Sequence, residues 1–239
     1  MCFYTSNAKA ANLAKRYGIK LDVVEMAKQI LEEQKYRINA FTHPACPVVT
    51  NPEELEIAHW GLIPPWTRTI ADANKIKKIC LNARAETMFK LPSFRSPVLS
   101  KRCLLPVSGF FEFNHQGNSV IPYYIFIKNE DIFSIGGLYE HWRNPETNET
   151  TKTFTVITVP SNDLCSKIHN GGKNPFRMPL IIDRDNENMW LDKSLKSVDI
   201  QQFLQPFDTN RMSAYPIAAD FLKMKPNDPT IIQEKISVP

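Results

Sequence analysis

Five short segments carry side chains able to do chemistry. Cys2 stands directly behind Met1. Initiator methionine is removed when the next side chain is small, and the residue then left holds a free α-amine beside a free thiol. That pair is a 1,2-aminothiol, a group few chains can present. "LNARAET" brings Asn82, Arg84 and Glu86 together, and "SGFFEF" sets Glu112 among phenylalanines. "SKIHNGGKNPFRMP" holds His169 and Arg177, and "WGLIPPW" offers Trp60 and Trp66 around a rigid proline pair. By strand alternation Glu112 faces either solvent or the interior. Facing inward, it would lose hydration, and its pKa would rise into the range useful for proton transfer. Each of the others also has a plain structural reading: Asn82 as a helix cap, His169 as a structural histidine, the tryptophans as core.

The elements that must position these groups follow from periodicity and punctuation. Helices are expected over 7–17, capped by Ser6 or Asn7 and stopped by Gly18, and over 23–34, capped by Asp22 with Glu25 three positions on. Short helices are expected near 83–89, 161–168, 186–192 and 198–204. Strand-like runs are "AHWGLIPPW", "RCLLPVSGFFEF", "YYIFIK", "IFSIGGLYEHW", "TFTVITV" and "MPLII". The turn-rich stretches "NHQGNSVIP" and "RNPETNETT" read as hairpin connections. The pattern predicts an α+β fold in one domain, residues 1–239, without a composition break. Its sheet is expected to be mostly antiparallel, barrel-like or bifurcated, and flanked by short helices.

Composition narrows the function classes. The 239 residues carry a net charge of +4. No apolar run approaches the ~20 residues that span a bilayer, and no signal-peptide core is present, so a cytoplasmic protein is expected. The five cysteines, at 2, 46, 80, 103 and 165, form no CxxC pair. That spacing argues against a disulfide framework and against a zinc site. With no GxGxxG and no GxxxxGK[ST], the glycine-rich nucleotide loops are excluded. Between Lys75 and Arg102 lie Lys75, Lys77, Lys78, Arg84, Lys90, Arg95, Lys101 and Arg102 against Glu86 alone. Such a stretch either attracts phosphates or is a solvated face.

Taken in order, Met-Cys, "WGLIPPW", "NARAET", "RCLLPVSGFFEF" and "IHN…RMP" resemble the SOS-response-associated peptidase family, also described as abasic-site processing proteins. The resemblance runs from Cys2 to about Ile182. It implies a covalent link to abasic sites in single-stranded DNA, closed as a thiazolidine by the mature N-terminal Cys2. It further implies Cys2, Asn82, Glu112 and His169 as catalytic residues, and Arg84, Arg177, Trp66, Phe113 and Thr158 as DNA contacts. No metal and no organic cofactor is implied, and a monomer is expected. Three departures stand out. The family usually has Gly-Arg after the cysteine, where this chain has Phe3 and Tyr4. Phe113 takes the place of a tryptophan. His169 and Arg177 are eight positions apart, with "NGGKNPF" extended between groups that are nearly adjacent in the family. Two competing readings are a cysteine-dependent peptidase, acting on Met1 or on other proteins, and a non-catalytic single-strand binder.

Overall fold

The computed structural model describes residues 2–8 and 10–234. Within them the strands are β1 (Tyr4–Asn7), β2 (Ile38–Asn39), β3 (Ala45–Asn51), β4 (Glu54–Trp60), β5 (Asn82–Arg84) and β6 (Arg102–Gln116). They continue with β7 (Ser119–Ile127), β8 (Phe133–Arg143), β9 (Thr150–Pro160), β10 (Arg177–Pro179), β11 (Ile181–Ile182) and β12 (Met212–Pro216). The α-helices are α1 (Ala10–Tyr17), α2 (Leu21–Glu33), α3 (Ile70–Ile79), α4 (Pro97–Ser100), α5 (Asp163–Ile168), α6 (Glu187–Leu191) and α7 (Ser197–Gln202).

Five strands close a barrel: β3 pairs β4, β4 pairs β9, β9 pairs β8, β8 pairs β6, and β6 returns to β3 through Val49 and Leu104. Pairing is antiparallel except where β4 and β5 run parallel to β9. Closure requires both faces of the central strands to be covered or to fill the interior. Accordingly Phe154, Val156, Ile157 and Val159 of β9 are all fully buried. Strand β6 is fifteen residues long. Its first half lies in the barrel, against β3 and β8. Its second half leaves the barrel and pairs β1 on one edge and β7 on the other. The β6–β7 connection is a two-residue turn with Gly117 at φ +56, the left-handed conformation that glycine adopts without steric cost.

Both hairpins and the expected strands are present, except that residues 61–66 of "AHWGLIPPW" form a loop after β4; the α+β, largely antiparallel reading holds and the sheet is a barrel with extensions. Several local expectations are corrected. Ser6 and Asn7 do not cap a helix; they end β1, whose partner is β6. Asp22 lies inside α2, and Lys20 occupies the N-cap. The helix expected over 83–89 is replaced by β5 and a run of turns. Alanine-rich "NARAET" has helical propensity, but parallel pairing of residues 82–84 with Val156–Thr158 overrides it. Helix α3, capped by Thr69 through the Asp72 amide, and strands β1, β2, β3 and β12 had no counterpart in the reading of the sequence.

Arg102 is a structural cation, not part of a basic face. It is buried, and its guanidinium donates to the carbonyls of Val98 (2.8 Å), Leu99 (2.9 Å), Trp190 (2.7 Å) and Asp192. It thereby satisfies the end of α4 and ties α6 to the barrel wall. Arg102→Leu strips four acceptors of their donor. Since each buried unsatisfied group costs about 1–3 kcal/mol, the variant is expected to lose roughly 3 kcal/mol or more in denaturant unfolding. A change under about 1 kcal/mol would show that the carbonyls find other donors.

Candidate active site

Glu112 sits in the outer half of β6, opposite Tyr123. Alternation along β6 turns it inward, and it is buried with 3 % of its surface exposed. His169 is the C-cap of α5, a short helix started by Asn162, whose side chain accepts from the Cys165 amide. Asn114, two residues beyond Glu112, donates to the Lys167 carbonyl at 2.6 Å and holds the end of α5 against β6. This clasp brings His169 Nε2 to 3.8 Å from Glu112 Oε2.

The imidazole is held in one tautomer. Its Nδ1 lies 2.9 Å from the Arg177 carbonyl, which can only accept. Nδ1 therefore carries the proton, and Nε2 directs its lone pair at Glu112. Burial raises the Glu112 carboxyl to about 8 and lowers His169 to about 4. At neutral pH the two groups are thus a carboxylic acid facing a neutral imidazole, and not an ion pair despite their separation. A proton held at about 8 is available for transfer near neutrality.

Cys2 is fully buried just ahead of β1, the strand that lies along β6 with Tyr4 opposite Phe111. Burial, reinforced by the nearby Glu112 carboxyl, drives its thiol far above the ordinary range. Its hydrogen bond among the described residues is a long one, 4.0 Å to the Tyr4 carbonyl. Asn82 opens β5 and is also buried. Both atoms of its side-chain amide are without a hydrogen-bond partner among the described residues. It is not a helix cap. Trp60 fixes β5 from behind: fully buried, it packs at a tilt against Phe154, ring centroids 5.3 Å apart, and donates its indole N–H to the Leu81 carbonyl at 2.8 Å. That makes Trp60 a core residue with a positioning role.

The two arginines differ in kind. Arg84 is exposed, and its guanidinium meets the Asn174 side chain. Arg177 is buried. Both carboxylate oxygens of Glu86 take its donors, one of them at 3.0 Å, and the Thr158 carbonyl and hydroxyl accept at 2.6 and 3.1 Å. Thr158 itself is buried at the crossing point of three strands, opposite Arg84 on β5 and Pro179 on β10. The sequence alone gives Glu86 no role, since its partner Arg177 lies 91 positions away. Trp66 is 53 % exposed in the turn after β4, with no ring contact among the described residues. Phe113 is half-buried against Tyr4 and Phe221, with ring centroids at 6.1 and 5.9 Å. Phe3, in place of the family's glycine, rests on exposed Phe41 at 4.6 Å. A 470 Å³ cavity lined by Met189, Phe203 and Phe207 holds none of these candidate residues. Among the described residues, no three His, Cys, Asp or Glu gather where a metal ion could be held, and no helix is long and apolar enough to cross a membrane.

Comparison with known proteins places the chain in a family. The profile of the SOS response associated peptidase (SRAP) family matches residues 1–224. The abasic site processing protein YoqW of Bacillus subtilis is 35% identical over 221 residues, covering 89% of this chain and 94% of that protein. The abasic site processing protein HMCES of Gallus gallus is 31% identical over 153 residues, which are 56% of this chain and 44% of that one. A crystal structure of a Bacteroides thetaiotaomicron protein superposes with a TM-score of 0.93 at 47% identity, covering 98% of this chain and 100% of that one. By the length of the match and by these relatives, the chain belongs to the SRAP family.

Proposed function

We propose that this protein processes abasic sites in single-stranded DNA by forming a covalent thiazolidine through Cys2 after Met1 is removed. The observation that carries the reading is the position of Cys2: fully buried beside the Glu112 carboxyl, on the approach to the strand that pairs β6. The ring-opened abasic sugar presents an aldehyde. An α-amine has a pKa near ~7.7–8.0, so an appreciable fraction is unprotonated at neutral pH. The amine adds to the aldehyde, and loss of one water gives an imine. The thiol then adds across the C=N bond, its sulfur to carbon and its proton to nitrogen, and closes the five-membered ring. That closure is intramolecular and gains the large effective concentration of a tethered nucleophile.

Glu112 supplies the proton for sugar opening and for departure of water from the carbinolamine. His169, neutral and held by Arg177, exchanges protons with the sugar hydroxyl. Asn82 offers its vacant donor and acceptor to the amine or the opened sugar. Leaving such a buried amide without a partner costs about 1–3 kcal/mol, a cost that a bound sugar offsets. Arg84 binds a phosphate. Arg177 is held by Glu86 and Thr158, so it contributes chiefly by fixing His169 and reaches a phosphate only by exchanging Glu86. Trp66 stacks on an unpaired base, while Phe113 supports the wall beneath Tyr4.

The test is intact mass after incubation with a single strand containing one abasic site. The expected product is the chain without Met1 plus the DNA, less one water. Little or none is expected with an intact strand or with a continuous duplex, because stacking on Trp66 requires an unpaired base. No product with the abasic single strand, or equal product with the abasic duplex, would overturn the corresponding half of the reading.

A further inference from the structure

Residues 170–176, the extended segment between His169 and Arg177, form a loop with a closed neck. The Phe176 amide donates to the His169 carbonyl at 2.8 Å, and the Phe176 carbonyl accepts from Ser161 at 3.0 Å. The loop is fastened on two further sides. Asn170 acts as a strand partner for the edge of β6: its Oδ1 accepts from the His115 amide at 2.8 Å, and its Nδ2 donates to the His115 carbonyl at 3.1 Å. Gly171 permits that approach, since a Cβ there would lie 2.6 Å from the His115 ring. On the other side Asn174 accepts from Arg84. The loop thus bridges from the Glu112 strand to the Arg84 strand.

Its last residue is held unusually. Phe176 has φ +58, a conformation that β-carbon sterics disfavour in a non-glycine residue. The strain does not serve packing. The ring is 54 % exposed, belongs to none of the hydrophobic clusters and makes no ring contact among the described residues. Hydrogen bonds at both its amide and its carbonyl hold a large aromatic surface out to solvent, one residue from the arginine that orients His169. The loop's other contact sets the exposed guanidinium of Arg84.

We infer that Phe176 is a base-stacking residue: it takes the face of the nucleobase adjacent to the lesion, while Arg84, steadied by Asn174, holds a phosphate on the same side. The inference rests on the abasic-site reading above and adds a contact on a segment extended relative to the family pattern. A flat, exposed ring beside a cation suits a single strand of any sequence, because every base has a stacking face.

The experiment measures binding of a single strand carrying a tetrahydrofuran abasic analogue, which has no aldehyde and cannot cross-link. The strands either keep both flanking bases or lack the base on one side or both. Phe176→Gly removes the ring and relaxes the backbone, so its unfolding midpoint should equal or exceed the parent's. Its affinity for the strand with both flanking bases is expected to fall roughly ten-fold, within the range of a lost base–aromatic stack. The loss should vanish when one particular flanking base is missing, and Phe176→Trp should bind like the parent. Parent-like binding by Phe176→Gly, or a loss that persists with both flanking bases absent, overturns the inference. A parent that forms no adduct with a true abasic site overturns the underlying reading instead, so the two failures are distinct.

Discussion

In Cys2→Ser protein, heat-stable adduct with abasic single strands is expected to fall by on the order of 100-fold or more, while DNA binding is nearly kept. Serine is small enough for Met1 still to be removed, so the amine remains and can still condense with the aldehyde. What is lost is the thiol that traps the imine as a ring, and with it the tethered second step. An imine left open hydrolyses on heating unless it is first reduced. Borohydride added during incubation should therefore recover a stable product from Cys2→Ser, and this recovery separates loss of the trap from loss of folding or binding. Undiminished heat-stable adduct with Cys2→Ser, without reductant, would sink the thiazolidine.

Glu112→Gln is expected to slow adduct formation by roughly 10²–10³-fold, in the range for removal of a general acid–base, and to change the shape of its pH dependence. In the parent the rate should rise as the α-amine loses its proton and fall as Glu112 loses its own near 8. The product is a maximum near pH 8. The glutamine variant keeps the shape, lacks the titration, and should lose the alkaline fall. Stability should move the opposite way. The native pKa is raised above the unfolded value of about 4.3, so the folded state binds the proton more tightly. Stability is then full below the unfolded value, declines as pH rises towards about 8, and is flat beyond. Glu112→Gln removes that decline and should raise the unfolding midpoint at pH 7 relative to the parent, with no gain at pH 4. A variant with parental rate at every pH would return Glu112 to a merely structural role.

The sequence carried the strands of the barrel wall well, because β6, β8 and β9 are long, rich in β-branched and aromatic residues, and bounded by clear turns. It carried poorly what depends on distant pairing. Residues 82–84 have helical propensity and become a strand only because β9 offers an open edge. Helix α3 was hidden in a run read for its lysines; Ile79 is 77 % exposed, so its apolar stripe is weak, and the Thr69–Asp72 cap was the signal left unused. At the site, the inward turn of Glu112 could be stated only as one of two parities, and the packing of α5 against the outer half of β6 decides it. Arg177 looked like any other basic residue near a strand. Its engagement by Glu86 and Thr158 joins residues 91 and 19 positions away, and no local pattern announces such a contact.

The closed neck of the loop after His169 has a consequence for variation. One backbone hydrogen bond, Phe176 to His169, shuts the segment off where it leaves α5 and rejoins β10. Whatever lies between these two points hangs outside the geometry that orients the imidazole, because that orientation comes from the Arg177 carbonyl beyond the neck. The segment can then lengthen or shorten without moving the imidazole. On the abasic-site reading proposed above, it would serve as a socket for specificity, with the choice of neighbouring base set by whichever short peptide is plugged in.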